Sequence, residues 1–170
     1  VIGGGFIGLE AAENLVKAGM EVMIIEMQKH VLPQADDDMA ILLEKELAEN
    51  GIDLHLEETV SEVTEDEKLT VRTDKGSYDA DLIILATGLR PSTGFVGNAI
   101  KLTEKGAIIT DEHMRTSDSH IYAAGDAVIT TDPLTGEYEY LPLAGPANKQ
   151  GRIAADNIAG IPSVYKGTIG

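Results

Sequence analysis

The sequence contains no cysteine and few basic residues. Without cysteine, its 170 residues can form no disulfide, no thiolate metal site and no cysteine nucleophile. Only 13 lysines and arginines stand against 29 aspartates and glutamates, which gives a formal net charge of −16. Nucleic acids and anionic membrane surfaces attract basic proteins, so we expect neither as a partner. No run of 18 apolar residues is present, and we therefore expect no membrane span.

The chain instead begins with a glycine-rich stretch, VIGGGFIG, in which Gly3, Gly5 and Gly8 have G-x-G-x-x-G spacing. In a dinucleotide site the first glycine makes a tight turn and the second lets the backbone approach a pyrophosphate. The third lets the helix pack close to the preceding strand. The helix then offers unpaired N–H groups and a positive dipole end to the phosphates.

The residues that follow indicate a complete β-α-β unit. A helix ending near Gly19 is predicted by apolar residues at helical spacing, namely Ile7, Ala11, Leu15 and Ala18. Residues 21–26 predict a buried strand that ends in Glu26, 18 positions after Gly8. A dinucleotide site places an acid about 20 positions on, where it accepts a hydrogen bond from the ribose 2′-OH. We predict this role for Glu26, in preference to a solvated strand end.

The rest of the first half predicts an α/β fold. Three acids at 36–38 open a second helix, although a carboxylate metal site is an alternative. The predicted apolar face of that helix is Met39, Leu42, Leu43 and Leu47. A strand is predicted at 52–56, an antiparallel meander at 59–64 and 69–73, and a strand buried on both faces at 81–86. The last runs into a glycine turn at Gly88, on the sheet edge that carries ligands.

The second half is richer in loops. Strands are predicted at 107–109 and 121–123, and a hairpin at 132–140. Pro146 opens a last helix, whose predicted apolar face is Ala147, Gly151, Ala154 and Ile158. The four histidines share no metal-ligand spacing, and we interpret them as ordinary surface or loop residues: His30, His55, His113 and His120.

Four stretches together resemble the FAD-dependent pyridine nucleotide–disulfide oxidoreductases: residues 3–10 (GGGFIGLE), 86–88 (ATG), 123–127 (AAGDA) and 143–151 (LAGPANKQG). The last is most similar to the coenzyme A-disulfide reductase, NADH oxidase and NADH peroxidase branch. The resemblance implies a Rossmann-like NAD(P)H-binding domain at 1–91 and the C-terminal part of a split FAD-binding domain at 92–162. Residues 163–170 would begin a dimerisation domain.

The resemblance also implies roles for single residues. Phe6 matches the aromatic residue that covers the flavin when no nicotinamide is bound, and Glu10 matches an acid on the nicotinamide side. We assign these two as catalytic positioning residues, although a core phenylalanine and a first-turn acid favoured by the helix dipole are the structural alternatives. The residues expected to bind NAD are Gly3, Gly5, Phe6, Ile7, Gly8, Glu26 and Gly88. Those expected to bind FAD are Gly125, Asp126, Leu143 and Ala144. No metal is expected.

The implied reaction passes hydride from NADH to FAD and then electrons to a disulfide, peroxide or oxygen. We expect NADH in preference to NADPH, although Lys29 and His30 could accommodate a phosphate in part. We expect the chain to be a piece of a longer cytoplasmic, homodimeric protein whose N-terminal FAD half carries the redox cysteine, and to be inactive alone. A cysteine-free flavin reductase of the ferredoxin or nitrite reductase type is one alternative. A non-catalytic dinucleotide-binding module is another.

Overall fold

A computed structural model describes residues 1–169, which divide into a first unit, Val1–Gly88, and a second unit that begins at Leu89. Each unit has its own sheet and its own helices, and the predicted α/β class is confirmed. The proposed division into cofactor domains at 1–91 and 92–162 stays a prediction. So does the dimerisation segment at 163–170, whose last residue lies outside the described residues.

The first unit is built on a short parallel sheet. Strand β1 (Val22–Ile25) pairs in parallel with β2 (Ile52–His55), with Val22 opposite Ile52. On the other side of β1, Ile2 bridges in parallel to Ile25 and also to Leu85. Helix α1 (Phe6–Lys17) leads from the Ile2 segment to β1, and helix α2 (Asp37–Glu49) leads from β1 to β2. This order is the predicted β-α-β arrangement.

The buried faces of both helices differ from the prediction. On α1 the buried residues are Gly8 and Ala12, whereas Ile7 is 56% exposed. On α2 they are Ala40 and Leu47, whereas the predicted core residues Met39 and Leu42 are exposed; Leu43 does pack on the core. Small residues lie where each helix approaches the sheet, because a larger side chain would hold the helix away from it. The predicted faces are therefore right in part: Leu15, Leu43 and Leu47 lie in or against the core, whereas the buried small residues Gly8, Ala12 and Ala40 were not predicted.

A three-stranded antiparallel meander completes this unit. Its strands are β3 (Val60–Glu65), β4 (Leu69–Thr73) and β5 (Ser77–Ala80), joined in that order. Val71 of β4 is buried against Ile2 and Ile25, which fixes the meander to the parallel sheet. The first two strands were predicted.

The predicted strand at 81–86 is only partly formed. Its backbone pairs with the Ile2 segment, through hydrogen bonds from the N–H of Ile2 to the Ile84 carbonyl and from the N–H of Ala86 to the Ile2 carbonyl, each 2.8 Å long. Leu82 and Leu85 are 55% and 70% exposed. The prediction of burial on both faces is therefore wrong, since Leu82 and Leu85 are exposed, although Ile83 packs against the core and Ile84 is half-buried.

The second unit contains β6 (Ile108–Ile109), β7 (Val128–Thr131), β8 (Tyr138–Glu139) and α3 (Ala144–Ile158). Strand β7 pairs in parallel with β6 and in antiparallel with β8, so the predicted hairpin is present. The predicted strand at 121–123 is wrong: Tyr122 makes only a single bridge, to Arg115. The regular strand begins after the Gly125–Ala127 turn of 3₁₀-helix rather than before it.

Helix α3 begins before Pro146, and its buried residues are Pro146, Gln150 and Ala154. Of the predicted face, Ala154 is buried and Ala147 is half-buried, whereas Gly151 is exposed and Ile158 is 66% exposed. The polar Gln150 occupies the central buried position, which a search for apolar periodicity passes over. Among residues 1–169, no helix is long and apolar enough to cross a membrane.

Candidate functional site

Two glycines of the loop before α1 are required by the protein's own packing. Gly3 has φ of +105°, and a Cβ built on it would lie 2.4 Å from the Ala86 carbonyl oxygen. A Cβ on Gly8 would lie 1.9 Å from the Gly3 carbonyl oxygen. Any side chain at either position would therefore displace backbone. These are the tight turn and the close helix approach that the spacing predicted.

At Gly5, unlike Gly3 and Gly8, the protein's own packing does not require a glycine. Its φ of −77° is open to any residue, and a Cβ built on it would meet no atom of the chain within 4 Å. It caps α1 with no side-chain hydrogen bond, so the first N–H groups of the helix have no side-chain partner there. The space in front of Gly5 is therefore open, and the helix N-terminus facing it favours an anion.

Glu26 is fixed beside this loop. It is only 6% exposed, and its Oε2 accepts a hydrogen bond of 2.6 Å from the Gly4 N–H. Its Oε1 accepts one of 2.8 Å from the Gln28 N–H. An ionised carboxylate can accept about four hydrogen bonds, so two acceptor positions remain for a ligand hydroxyl.

A cavity of about 340 Å³ joins most of the predicted NAD residues. Gly3, Gly5, Glu26 and Gly88 all line it. The cavity is also lined by residues that were not predicted as site residues from the sequence, including Met27, Gln28, Pro33, Gln34, Glu58 and Thr87. Gly8 lies buried below the loop, and Ile7 is exposed on the first turn of α1. The arrangement is a concave site with an anion-binding helix end and a fixed carboxylate.

Phe6 and Glu10 lie apart from that cavity. Both line a groove of about 410 Å³ between α1 and α2, whose floor includes Leu43 and Leu47. Phe6 is 69% exposed, so the alternative of a core phenylalanine is wrong. The first turn of α1 contains no acid, and the dipole explanation for Glu10 therefore does not apply.

The predicted FAD residues gather in the second unit. Gly125 and Asp126 lie in the 3₁₀ turn, Leu143 is the N-cap of α3 and Ala144 is its first residue. The buried side chain of Gln150 joins the two elements, because its Oε1 accepts a hydrogen bond of 2.8 Å from the Gly125 N–H. Asp126 is left exposed beside them. Gln150 lies within the 143–151 stretch, but no role was predicted for it.

A polar cluster below the cavity was also missed. Glu58, only 3% exposed, accepts hydrogen bonds from Thr73 at 2.5 Å and from Tyr78 at 2.8 Å, and contacts His55 Nδ1 at 3.0 Å. The His55 ring also packs edge-on against Tyr78. The interpretation of His55 as an ordinary surface residue is therefore wrong. The cluster joins β2 to the meander and fixes the loop that contributes Glu58 to the cavity wall.

These contacts shift the pKa values of both His55 and Glu58. Burial alone would lower the pKa of His55, but hydrogen bonds to Asp53 and Glu58 outweigh it and raise the pKa above 6.5. Burial alone would raise the pKa of Glu58, but the hydrogen bonds from Thr73, Tyr78 and His55 lower it below 4.5. Each partner therefore favours the charged form of the other.

The acids at 36–38 have local partners. Asp37 pairs with Lys29, and Asp38 accepts a hydrogen bond of 3.0 Å from the Met39 N–H. Asp36 is the N-cap residue of α2. Within residues 1–169, no group of three or more His, Asp or Glu side chains is arranged so that it could hold a metal ion.

The sequence profile of the pyridine nucleotide-disulphide oxidoreductases matches residues 1–151. The chain belongs to this family. The NAD(P)H sulfur oxidoreductase (CoA-dependent) of Pyrococcus abyssi, a curated relative, is 38% identical over 100% of this chain and 39% of its own length. The chain thus spans about two fifths of the length of that oxidoreductase.

Two solved oxidoreductase structures have the same fold. A water-forming NADH oxidase from Lactobacillus brevis, bound to NADH, is 38% identical and aligns with a TM-score of 0.94 over 98% of this chain and 38% of its own. An engineered NADPH oxidase derived from it, bound to NADPH, aligns with a TM-score of 0.93 at the same identity and coverage.

The engineered enzyme carries five substitutions, whose spacing matches this chain. A glycine replaced by alanine precedes an aspartate replaced by alanine by 18 positions, as Gly8 precedes Glu26. The next residue became arginine, which corresponds to Met27. A proline seven positions after the aspartate also became arginine, which corresponds to Pro33. The change to an NADPH-bound enzyme thus altered residues equivalent to those around the Glu26 cavity.

Proposed function

We propose that this chain is the NADH-binding segment of a flavoprotein oxidoreductase that passes hydride from NADH to FAD. The observation that carries the proposal is the space in front of Gly5, bounded by the N-terminus of α1 and the fixed Glu26 carboxylate. The pyrophosphate lies against the helix end, where N–H groups and the dipole both stabilise negative charge. Glu26 accepts a hydrogen bond from the ribose 2′-OH through a remaining acceptor position.

A preference for NADH over NADPH follows from the same carboxylate. A 2′-phosphate would place negative charge against Glu26, with repulsion increased by the low exposure of that side chain. The engineered relative supports this reasoning, since its NADPH-bound form lacks the corresponding acid and gains two arginines. Phe6 and Glu10 are proposed to position the nicotinamide, because both are exposed on the first turns of α1.

The second unit has features that fit part of a flavin site. The uncapped N-terminus of α3 stabilises negative charge, and the exposed Asp126 carboxylate is placed to accept hydrogen bonds from ligand hydroxyls. Gln150 holds the Gly125 turn against the helix. FAD, when bound, supplies the acceptor for hydride and passes electrons to a disulfide, peroxide or oxygen. We further propose, from the family resemblance, that the longer protein is a cytoplasmic homodimer.

Titration of the chain with NADH and NADPH tests this function, with Gly5→Val as the decisive variant. A Cβ at this position meets no atom of the protein within 4 Å, so we expect the fold to tolerate a valine, whose side chain would occupy space that the pyrophosphate needs. Gly94→Val is a matched control, because Gly94 also begins a helical turn and has open space around it.

We expect NADH to bind the parent chain and Gly94→Val alike, and to bind Gly5→Val at least 100-fold more weakly, which is about 2.7 kcal/mol. Circular dichroism and urea midpoints check that the three proteins are equally folded. Equal NADH affinity of Gly5→Val and the parent would refute the site, and equal affinity of the parent for NADH and NADPH would refute the preference.

A further inference from the structure

The loop that follows Glu26 contains two basic side chains, and both are directed at helix α2. Residues 27–35 carry Lys29 and His30 as their only groups able to bear positive charge. Three residues of chain span at most about 11 Å, so Lys29 is anchored close to the carboxylate that is proposed to bind the ribose. A cation released here would stand near the 2′ position of a bound dinucleotide.

Each of these groups is paired with an acid of α2. Lys29 Nζ forms an ion pair with Asp37. His30 Nδ1 lies 2.9 Å from Glu44 Oε1, and its Nε2 lies 3.9 Å from Asp37 Oδ1. The Lys29 contact is the main reason that the pKa of Asp37 lies below its ordinary value.

Glu44 also holds the loop itself. Its Oε1 accepts a hydrogen bond of 3.2 Å from the Val31 N–H, and the Val31 side chain is completely buried. The Leu32 N–H donates to the Gly4 carbonyl at 2.8 Å, although Leu32 has φ of +50°, a conformation that non-glycine residues rarely adopt. The loop is thus fixed at both Val31 and Leu32, in a form that leaves Met27, Gln28, Pro33 and Gln34 lining the cavity.

We propose that Asp37 and Glu44 are specificity-determining positioning residues, which hold Lys29 and His30 away from the 2′ position and so disfavour NADPH. The inference rests on the proposed NADH-binding function and adds residues that do not touch the dinucleotide. Positive charge near the 2′ position is expected to favour NADPH, because the NADPH-bound relative has arginines at the positions equivalent to Met27 and Pro33. Here Lys29 and His30 lie in the equivalent loop, but each contacts an acid of α2.

The test measures NADH and NADPH dissociation constants for Asp37→Asn, Glu44→Gln and the double variant of the 170-residue chain. Both amides keep the shape of the acids, and the amide oxygen introduced by Glu44→Gln can still accept a hydrogen bond from the Val31 N–H, so the loop keeps its anchor. Asp38→Asn is the matched control, since it removes the same charge from the same helix turn without freeing Lys29. Lys29→Met and His30→Gln are then added to the corresponding variants.

We expect NADPH affinity to rise roughly three- to tenfold in Asp37→Asn and further in the double variant, with NADH affinity changed less than about twofold. The gain should shrink in about 0.5 M salt and disappear when Lys29→Met and His30→Gln are added. An unchanged NADPH to NADH ratio, an equal gain in Asp38→Asn, or a gain that survives removal of both cations would overturn the inference. If the unaltered chain does not bind NADH, the proposed function is overturned, and this inference with it.

Discussion

Replacing Glu58 by alanine should strongly destabilise the first unit. The carboxylate is 3% exposed and interacts with Thr73, Tyr78 and His55, so its removal deletes three interactions with a charged group, although each of these residues keeps at least one other hydrogen-bond contact. A hydrogen bond to a charged group contributes about 1.5–3 kcal/mol. Because the losses are not additive and water can enter, we expect a total of about 3–5 kcal/mol.

That loss is large relative to the whole unit. At about 0.05–0.15 kcal/mol per residue, a unit the size of Val1–Gly88 has a stability of roughly 4–13 kcal/mol. For a domain of this size, 1 kcal/mol shifts Tm by about 4–8 °C, so Glu58→Ala should lower Tm by at least about 12 °C. Glu58→Gln should lower Tm less than Glu58→Ala does, since the amide oxygen of the glutamine can still accept hydrogen bonds from Thr73 and Tyr78.

Urea and thermal unfolding, followed by circular dichroism, measure both variants. Glu57→Ala is the control, because the neighbouring glutamate is exposed. A Tm for Glu58→Ala within about 2 °C of the parent would show that the cluster is not a stabilising network, and that the meander is held by its apolar contacts alone.

Two further predictions concern the same unit. Gly8→Ala should destabilise the chain and distort the loop, since the added Cβ would lie 1.9 Å from the Gly3 carbonyl oxygen; a urea midpoint equal to that of the parent would contradict this packing. The contribution of the His55–Glu58 pair should be complete between about pH 4.5 and 6.5, fall as pH rises through the raised pKa of His55, and fall in acid through the lowered pKa of Glu58. The difference in unfolding free energy between the parent and His55→Gln should therefore be larger at about pH 6 than at about pH 9, and a difference independent of pH would refute the assignment.

The glycine loop could be predicted from sequence because its constraints are local. Gly3 needs a positive φ in the turn itself, a Cβ on Gly8 would meet the Gly3 carbonyl five positions earlier, and Glu26 is placed by its distance along a single β-α-β unit. The spacing of these residues therefore carries the geometry directly, and the expected turn and close helix approach were found.

The helix faces could not be read in the same way. The buried residues of these helices include Gly8, Ala12 and Ala40, whose small size permits close packing but adds little to an apolar pattern. Leu82 and Leu85 look like core residues by composition, yet burial depends on what packs over them. Glu58 and Tyr78 are 20 positions apart and meet only through the pairing of the meander strands, so no local signal indicated their cluster.

Under the proposed function, the Glu26 carboxylate would both fix the loop and select the cofactor, and this limits how cofactor preference can evolve. Replacing it with a small neutral residue would remove the acceptor of the Gly4 and Gln28 N–H groups, and thereby loosen the loop that must hold the pyrophosphate. A single substitution of Glu26 that removes the discrimination between NADH and NADPH would therefore also weaken the binding of both dinucleotides. A lineage changing from one cofactor to the other would pass through a poor intermediate unless compensating changes in residues 27–35 came first.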